Sequence, residues 1–398
     1  MNIQLAPLDT CTGCGACAFR CPKKCIKMQE NQIGIIYPVI DISVCIGCHR
    51  CESVCPILNN VNSYDSQLAY AAWSVDKNER DTSASGGVAI EMYKLALRNG
   101  YVAVGASQNK DFTVTHKITT ETNVLKSFKN SKYVFSDSYE AFNEMKTLLN
   151  EGKKVIFIGL PCQVAALRNL FSEKDTLLLL VEVVCHGTTP FSYLRQHIEL
   201  LSKQSGKVAK RMSFRDPIAY TYTFTFTLYD NEDKMFYAKR TKDGDTYQFG
   251  YHRAVTYREN CYHCRFAKSQ RISDITIADY HGLGLSAPCK FTEEKVSLIL
   301  VNTEKGKLFV NELIENKCIQ VEQRPLEEPF IGEPQLKHPT VKSKYRLMFE
   351  KEIIINHGDF ENAIRKILIT YQRDLRIMTL FTFPIRIARN IKKRIFDR

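Results

Sequence analysis

The sequence predicts an α+β opening that leads into mixed α/β: a small N-terminal module, a larger domain, and a helical basic tail. Three observations carry this. Eight cysteines recur in a duplicated pattern before residue 62. Strand-like and helix-like runs alternate from 67 to 335. Beyond 336 the chain is helical and ends in a basic excess. The expected parts are residues 1–62, 67–158, 159–335 and 336–398.

The first run reads Cys11-x2-Cys14-x2-Cys17-x3-Cys21-Pro22, and the second Cys45-x2-Cys48-x2-Cys51-x3-Cys55-Pro56, a period of 34 residues. This is the bacterial ferredoxin spacing for two [4Fe-4S] clusters, in which three cysteines of a run grip one cluster and the fourth ligates the other. Cys11, Cys14, Cys17 and Cys55 are therefore assigned to one cluster, and Cys45, Cys48, Cys51 and Cys21 to the second. Small residues at Gly13, Gly15, Ala16 and Gly47 let backbone N–H groups approach the sulfurs. Structural zinc pairs two short knuckles and needs no third and fourth cysteine followed by proline. The start of the chain does not read as a signal peptide, so a cytoplasmic, reducing setting is expected, and disulfides are not. Cys25 falls outside the pattern and reads as a buried spare thiol.

Composition narrows the class. The 398 residues are enough for two or three cores, and 44% hydrophobic with 25% charged residues is ordinary for a globular chain. The longest apolar run, Leu177 to Val181, is closed by Glu182 and reads as a buried strand rather than a membrane span. Of the formal charge of +12, the stretch Arg386–Arg398 supplies +5 and the rest is dispersed, so nucleic-acid binding is not expected.

Past the polar linker Asn59–Ser66, a strand is expected at Leu68–Ser74 and a helix after Ser85-Gly86-Gly87 as far as Arg98. Further strands are expected at Tyr101–Ala106, Lys154–Ile158, Leu177–Val184 and Val296–Asn302. Helices are expected at Ser138–Asn150, from Gly159-Leu160-Pro161-Cys162-Gln163 to Leu170, and from Pro190. Tyr220–Leu228, threonine alternating with aromatics, reads as a half-exposed strand.

Six more cysteines follow. Cys289 and Cys318 have no informative neighbours. Cys162 opens a helix after a strand, Cys185 ends a strand, and Cys261-Tyr262-His263-Cys264 forms a knuckle. Open α/β sheets bind ligands at the carboxyl ends of their strands, and four cysteines are what one further cluster needs. Buried core thiols are the plain alternative.

Taken in order, Ser83-Ala84-Ser85-Gly86-Gly87, Ser131-Lys132-Tyr133-Val134, Gly159-Leu160-Pro161-Cys162-Gln163, Cys185-His186-Gly187, Ser213-Phe214-Arg215-Asp216, Arg258-x2-Cys261-x2-Cys264 and Arg271-x-Ser273-Asp274-Ile275-Thr276-Ile277-Ala278-Asp279 form a set of landmarks. With them the chain resembles the beta subunit of coenzyme F420 hydrogenases and dehydrogenases, in the bacterial form with an N-terminal dicluster ferredoxin domain. The resemblance extends to about residue 330. It implies a flavin-binding catalytic domain with FAD and a third [4Fe-4S] cluster on Cys162, Cys185, Cys261 and Cys264. The sequence departs from the family at Ala278-Asp279-Tyr280-His281-Gly282, where an aromatic, often Trp, is expected, and this bears on the substrate.

No Gly-x-Gly-x-x-Gly fingerprint is present. Ser85, Gly86 and Gly87 at a helix N-terminus offer a phosphate cradle, with simple helix initiation as the alternative. Lys132 is a candidate for a flavin phosphate or ring, or a solvated lysine. His186 is a candidate hydrogen-bond donor to a cluster or flavin, or a satisfied core histidine, and His263 a neighbour of ligands. Asp279 or Asp274 is a candidate proton donor, with a turn or salt-bridge role as the alternative. In the tail, Pro384, Ala388, Ile391 and Ile395 share a helical face against five basic residues, which suits a membrane surface or an acidic partner.

The leading expectation is an oxidoreductase that passes electrons between [4Fe-4S] clusters and FAD, with an organic substrate and a redox partner protein, reduced ferredoxin or deazaflavin. The alternative is an electron-transfer subunit serving a partner enzyme. A zinc-binding interaction protein is the third reading.

Overall fold

The computed structural model describes residues 3–291 and 295–396, with side chains as far as residue 379. In the N-terminal module, β1 (Ile26–Glu30) and β2 (Ile36–Ile40) pair antiparallel. Each cysteine loop runs into a short helix, Ala16–Arg20 and Arg50–Ser53. The duplication is visible in the backbone. Gly13 and Gly47 share a left-handed φ of 67° and 68°, and Gly15 and His49 follow at 77° and 55°. Left-handed turns at these places rotate successive N–H groups toward one centre, which glycine allows without steric cost.

The larger domain begins with β3 (Leu68–Ser74), α1 (Val88–Arg98), β4 (Val102–Gln108), β5 (Val114–Thr119) and β6 (Ser136–Asp137). It continues through α2 (Ala141–Asn150), β7 (Val155–Gly159), α3 (Pro161–Leu170), β8 (Leu178–Val183) and α4 (Phe191–Ser205). The strands β9 (Arg211–Ser213), β10 (Phe226–Tyr229) and β11 (Met235–Lys239) form a separate antiparallel sheet, followed by α5 (Thr246–His252). Then come β12 (Ile275–Asp279), β13 (Ser297–Val301), α6 (Glu304–Glu315), β14 (Ile319–Arg324), α7 (Lys344–Ile355) and α8 (Phe360–Phe396).

Nine strands make one mixed sheet in the order β14-β3-β13-β12-β8-β7-β4-β5-β6. The parts read from sequence as 67–158 and 159–335 interleave in it, since β3 lies between β13 and β14 and β7 beside β8. Its central strands are apolar on both faces. In β7, Val155 and Phe157 join the core under α2 and α3, while Ile156 and Ile158 join the core under α1 and α6. Period-2 alternation with both sets buried requires helices on both sides. The cysteine module packs on the α2–α3 side, where Phe19 meets Phe142 and Phe171 edge-on at 5.7 and 6.0 Å.

The strands β12, β8, β7 and β4 run parallel, and β3, two antiparallel steps from β12, runs with them. Their carboxyl ends therefore share one edge. That edge gathers the Ser85-Gly86-Gly87 turn, Cys162, Cys185 and Asp279.

The expected strand Tyr220–Leu228 is a correction. Only Phe226–Tyr229 is extended, and it is wholly buried; Thr221–Thr223 is a 3-10 turn between Tyr220 (φ 64°) and Phe224 (φ 54°). The reason is Arg215. Its Nε donates to Thr221 O at 2.5 Å and its guanidinium lies 3.9 Å from the Phe224 ring, so this segment wraps around a buried cation.

A second core joins α4, α5, α7 and α8 to the small sheet. His197 pins it, with Nδ1 at 2.6 Å from Glu361 and Nε2 at 3.1 Å from Asp245. Burial alone would lower the His197 pKa, but the two carboxylates raise it to about 9. Because the folded value lies above the unfolded one, this stabilisation is complete below about pH 6.5 and fades as pH rises through about 9. It amounts to on the order of 3 kcal/mol. Thermal unfolding of His197→Asn should therefore show a flatter pH profile between 6.5 and 9 than the parent. Equal slopes would refute the assignment. Among the described residues no helix is long and apolar enough to cross a membrane. The tail residues Pro384, Arg386, Ala388, Ile391 and Ile395, expected to form a docking face, lie outside the described side chains.

Candidate functional site

The module presents its cysteines as two sets. Cys11, Cys14, Cys17 and Cys55 line one cavity and interact electrostatically with one another. Cys21, Cys45, Cys48 and Cys51 line another. These are the crossed sets that the repeat predicts. Backbone N–H groups of Gly13, Ala16 and Ala18 bond the sulfurs of Cys11, Cys14 and Cys17, and those of Lys23, Lys24 and Cys25 bond Cys21. Such donors stabilise the anionic sulfurs of a cluster. Cys25 also faces the second cavity, with its Sγ 3.3 Å from that of Cys21, so this cavity holds five thiols. Cys48 is exposed, which makes this the outer set.

A third cavity lies at the carboxyl edge of the main sheet. Cys162, Cys185, Cys261 and Cys264 all line it, together with Cys14 of the module. Pro161 opens α3, and the Gln163 side chain accepts from Leu160 N at 2.9 Å; this capped first turn delivers Cys162. Cys185 follows β8, and Gly187 N–H bonds its sulfur. Thr188 N donates to Cys261 Sγ at 3.4 Å, and the N–H groups of Phe266 and Ala267 bond Cys264. Burial pushes all four thiols above the ordinary value, Cys264 to about 11, and neighbouring thiols raise Cys162, Cys185 and Cys264 further. Four thiols massed out of water stay protonated unless cationic metal deprotonates them. Among the described residues no three His, Cys, Asp or Glu side chains converge on a point for a single ion. The sulfurs ring cavities, and four thiols so placed are a donor set that could hold a metal centre.

Beneath this cavity is a buried ion pair. Arg271 Nε lies 2.6 Å from Glu182 Oε1, with both side chains almost fully enclosed. Arg271 Nη1 donates to Phe266 O and Lys268 O, fixing the turn whose N–H groups reach Cys264. Nothing in the sequence marks this role beyond the place of Arg271 in a landmark motif.

The residues expected to hold FAD are engaged within the protein. Ser85 Oγ donates to Val296 O at 2.9 Å, and Gly86 N to Ser297 Oγ at 2.9 Å. A Cβ on Gly86 would stand 2.5 Å from Ala72 O, so Gly86 serves close packing on the sheet. Gly87, at φ 82°, caps α1, whose first turn carries the buried Glu91. Lys132 Nζ donates to the carbonyls of Ser127, Lys129 and Asn130, and burial holds its ammonium down to about 7. All three of its hydrogens fasten a turn, which corrects the expectation of a free cation for a phosphate. Ser85, Gly86 and Lys132 are thus each engaged within the protein.

His186 is half-exposed at the mouth of the third cavity, with Nε2 3.4 Å from Glu333. Burial would raise Glu333, but His186 holds it below its usual value. The hydrogen bonds to Cys185 and Cys261 come from Gly187 and Thr188, so the expected sulfur donor is displaced by one and two residues. His263 pairs with Glu259 at 3.2 Å on the surface rather than lining the cavity. Asp279 accepts from both Nη atoms of Arg215 at 3.3 Å, and Arg215 reaches Tyr133 OH at 2.9 Å and Ala84 O. Four landmarks thus meet at one buried guanidinium. Asp274 is enclosed and bonded by Arg168, Leu180 N and Thr303, which gives it a structural role.

A family model for the C terminus of the coenzyme F420 hydrogenase/dehydrogenase beta subunit matches residues 152–326, and a 4Fe-4S dicluster domain model matches residues 10–58. The chain belongs to the family of coenzyme F420 hydrogenase/dehydrogenase beta subunits. The first match spans β7 to β14 and takes in all four cysteines of the third cavity. Among relatives, an F(420)H(2) dehydrogenase component of Methanosarcina mazei is 22% identical over 64% of this chain and 71% of its own length. The coenzyme F420-dependent sulfite reductase of Methanocaldococcus jannaschii is 26% identical over 42% of this chain; the chain spans about a quarter of that protein, 26%. A ferredoxin-like protein of Rhizobium leguminosarum bv. trifolii is 33% identical over 12% of this chain and 78% of its own length. This family member is an iron–sulfur oxidoreductase protein built for electron transfer, with a dicluster module at its N-terminus.

Proposed function

We propose that this chain relays single electrons from the outer module cluster to the inner one, then to a third [4Fe-4S] cluster on Cys162, Cys185, Cys261 and Cys264. FAD, held by donors other than Ser85, Gly86 and Lys132, would exchange these electrons with an organic substrate, in either direction. One observation carries this reading: Cys14, a ligand of the inner set, stands in the wall of the four-cysteine cavity. Cysteines of two sites that share a wall give electrons a short path between them.

The thiols and the N–H groups on their sulfurs would hold the third cluster, and the family match supports FAD. FAD, when bound, supplies the exchange between one-electron carriers and a two-electron substrate. His186, with Nε2 3.4 Å from buried Glu333, stands at the cavity rim where a substrate would enter. The names of two relatives contain F420, which supports a reduced deazaflavin as one donor, beside reduced ferredoxin or another redox partner protein. A cytoplasmic site, with the tail docking on a membrane surface or partner, completes the proposal.

A second reading, an electron-delivery subunit without its own substrate, is favoured by the internal engagement of Ser85, Gly86 and Lys132. Anaerobic purification with iron, zinc and flavin quantified per chain separates the two. About twelve irons and one FAD are expected. Iron near twelve without flavin after reconstitution selects the delivery subunit, and zinc in place of iron sinks both.

A further inference from the structure

The guanidinium of Arg258 is buried between two sets of cysteines and has no carboxylate beside it among the described residues. Its Nε donates to Asn260 Oδ1 at 3.2 Å, and its Nη2 to Ile36 O at 3.0 Å and Cys11 O at 3.4 Å. Its fourth neighbour is the Phe135 ring, 4.5 Å away. Every one of these partners is neutral. The backbone N–H donates to Thr188 O at 2.8 Å, which fixes Arg258 to the residue whose own N–H serves Cys261. Gly13 lies flat against it, since a Cβ there would fall 2.7 Å from Nη2. Only 2% of Arg258 is exposed, so it is as enclosed as the residues of the core.

An isolated charge in such a place costs several kcal/mol unless something offsets it. Buried arginines elsewhere in this chain have acids: Arg271 has Glu182, Arg215 has Asp279 and Arg324 has Glu328. The ionisable groups that act on Arg258 most strongly are the thiols of Cys261, Cys11, Cys162 and Cys14, which become anionic as cluster ligands. Two of these belong to the inner module set and two to the third cavity.

We propose that Arg258 is a shared counter-charge for the inner module cluster and the third cluster, raising the reduction potential of both. A cluster on four thiolates is anionic and gains one more negative charge on reduction. A fixed cation in a medium of low dielectric favours that reduced state. One electron leaves the inner cluster and one arrives at the third; no atom or proton moves. With the cation between them, the charge shifts from one side of Arg258 to the other and stays compensated throughout. The outer set, whose Cys51 is influenced by Glu52 and Cys21 instead, lies beyond this effect. The third-cluster half rests on the function proposed above, while the inner-cluster half needs only the dicluster module.

The test is an anaerobic redox titration of the full iron-loaded chain, followed by electron paramagnetic resonance. It compares the parent with Arg258→Met, Arg258→Gln and Arg258→Lys. Both neutral variants should bind the electron at least tenfold more weakly at the inner and third clusters, a fall of about 59 mV for a one-electron couple. The outer cluster should not move, and Arg258→Lys should stay close to the parent. If only the neutral variants fail to load iron, the requirement for charge is upheld. The proposal is overturned if the neutral variants leave the inner potential unchanged, if all three clusters shift alike, or if Arg258→Lys falls as far as Arg258→Met or also fails to load. Should the parent hold only about eight irons, the third-cluster reading fails by itself, and the inner potential alone then decides the role of Arg258.

Discussion

Replacing Cys162 and Cys185 together by alanine is expected to lower the iron content from about twelve to about eight per chain. Electron delivery to flavin should cease, while dithionite still reduces the module. The ligands of the module come from two loops before residue 56, and neither substituted residue touches the outer set. Cys14 is the shared cysteine, since it lines both the inner cavity and the third one, as its neighbour Thr12 does. The inner cluster is therefore no silent bystander: its spectrum is expected to keep its intensity and change only in shape. Iron near twelve in the double variant would show that these thiols are core packing. Iron near four would show that the module depends on the third site for assembly.

Arg271→Leu is expected to be the most destabilising single substitution at the site. It leaves the Glu182 carboxylate enclosed beneath the cavity with no cation, at a cost of about 3–5 kcal/mol. In the iron-loaded chain this corresponds to a fall in Tm of roughly 4–6 °C. Arg271→Leu with Glu182→Leu should recover most of that loss, because removing both members of a buried pair is far cheaper than orphaning one. Iron should not recover with it. Arg271 also holds Phe266 O and Lys268 O, and with them the turn that delivers N–H groups to Cys264. Stability rescued without iron would separate the two tasks of this arginine. Iron rescued along with stability would leave it a purely structural residue.

The twelve cysteines were legible because covalent spacing along a loop restricts which thiols can share a centre. The repeat of 34 residues left one pairing scheme, and the cavities of the module reproduce it. The third set was legible in number and in its position at strand ends. Its convergence was not, since Cys162 and Cys264 lie about a hundred residues apart and meet only in the cavity that the folded chain encloses. The internal partners of the cofactor candidates were hidden for a different reason. A lysine after a serine looks free in one dimension, and Lys132 is free only if no carbonyl lies in its reach; three do. Ser85 and Gly86 likewise resemble an open cradle until β13 supplies Ser297 as their partner from more than two hundred residues away. The strand expected at Tyr220–Leu228 failed because its alternation reflects aromatic packing around Arg215, a contact no local window contains.

Which thiols gather into sets in the module, how it divides them, and that the remainder is an α/β sheet with cysteines after two of its strands could all be read from the order of residues. These follow from bond lengths, side-chain period and the donor chemistry of sulfur, which are local. Three further features depended on the folded chain: Cys14 shares a wall with the third set, Arg258 stands between the two with no carboxylate beside it among the described residues, and Arg271 and Glu182 support the cavity floor. Those rest on where distant strands come to lie, and burial then sets the strength of every charge among them.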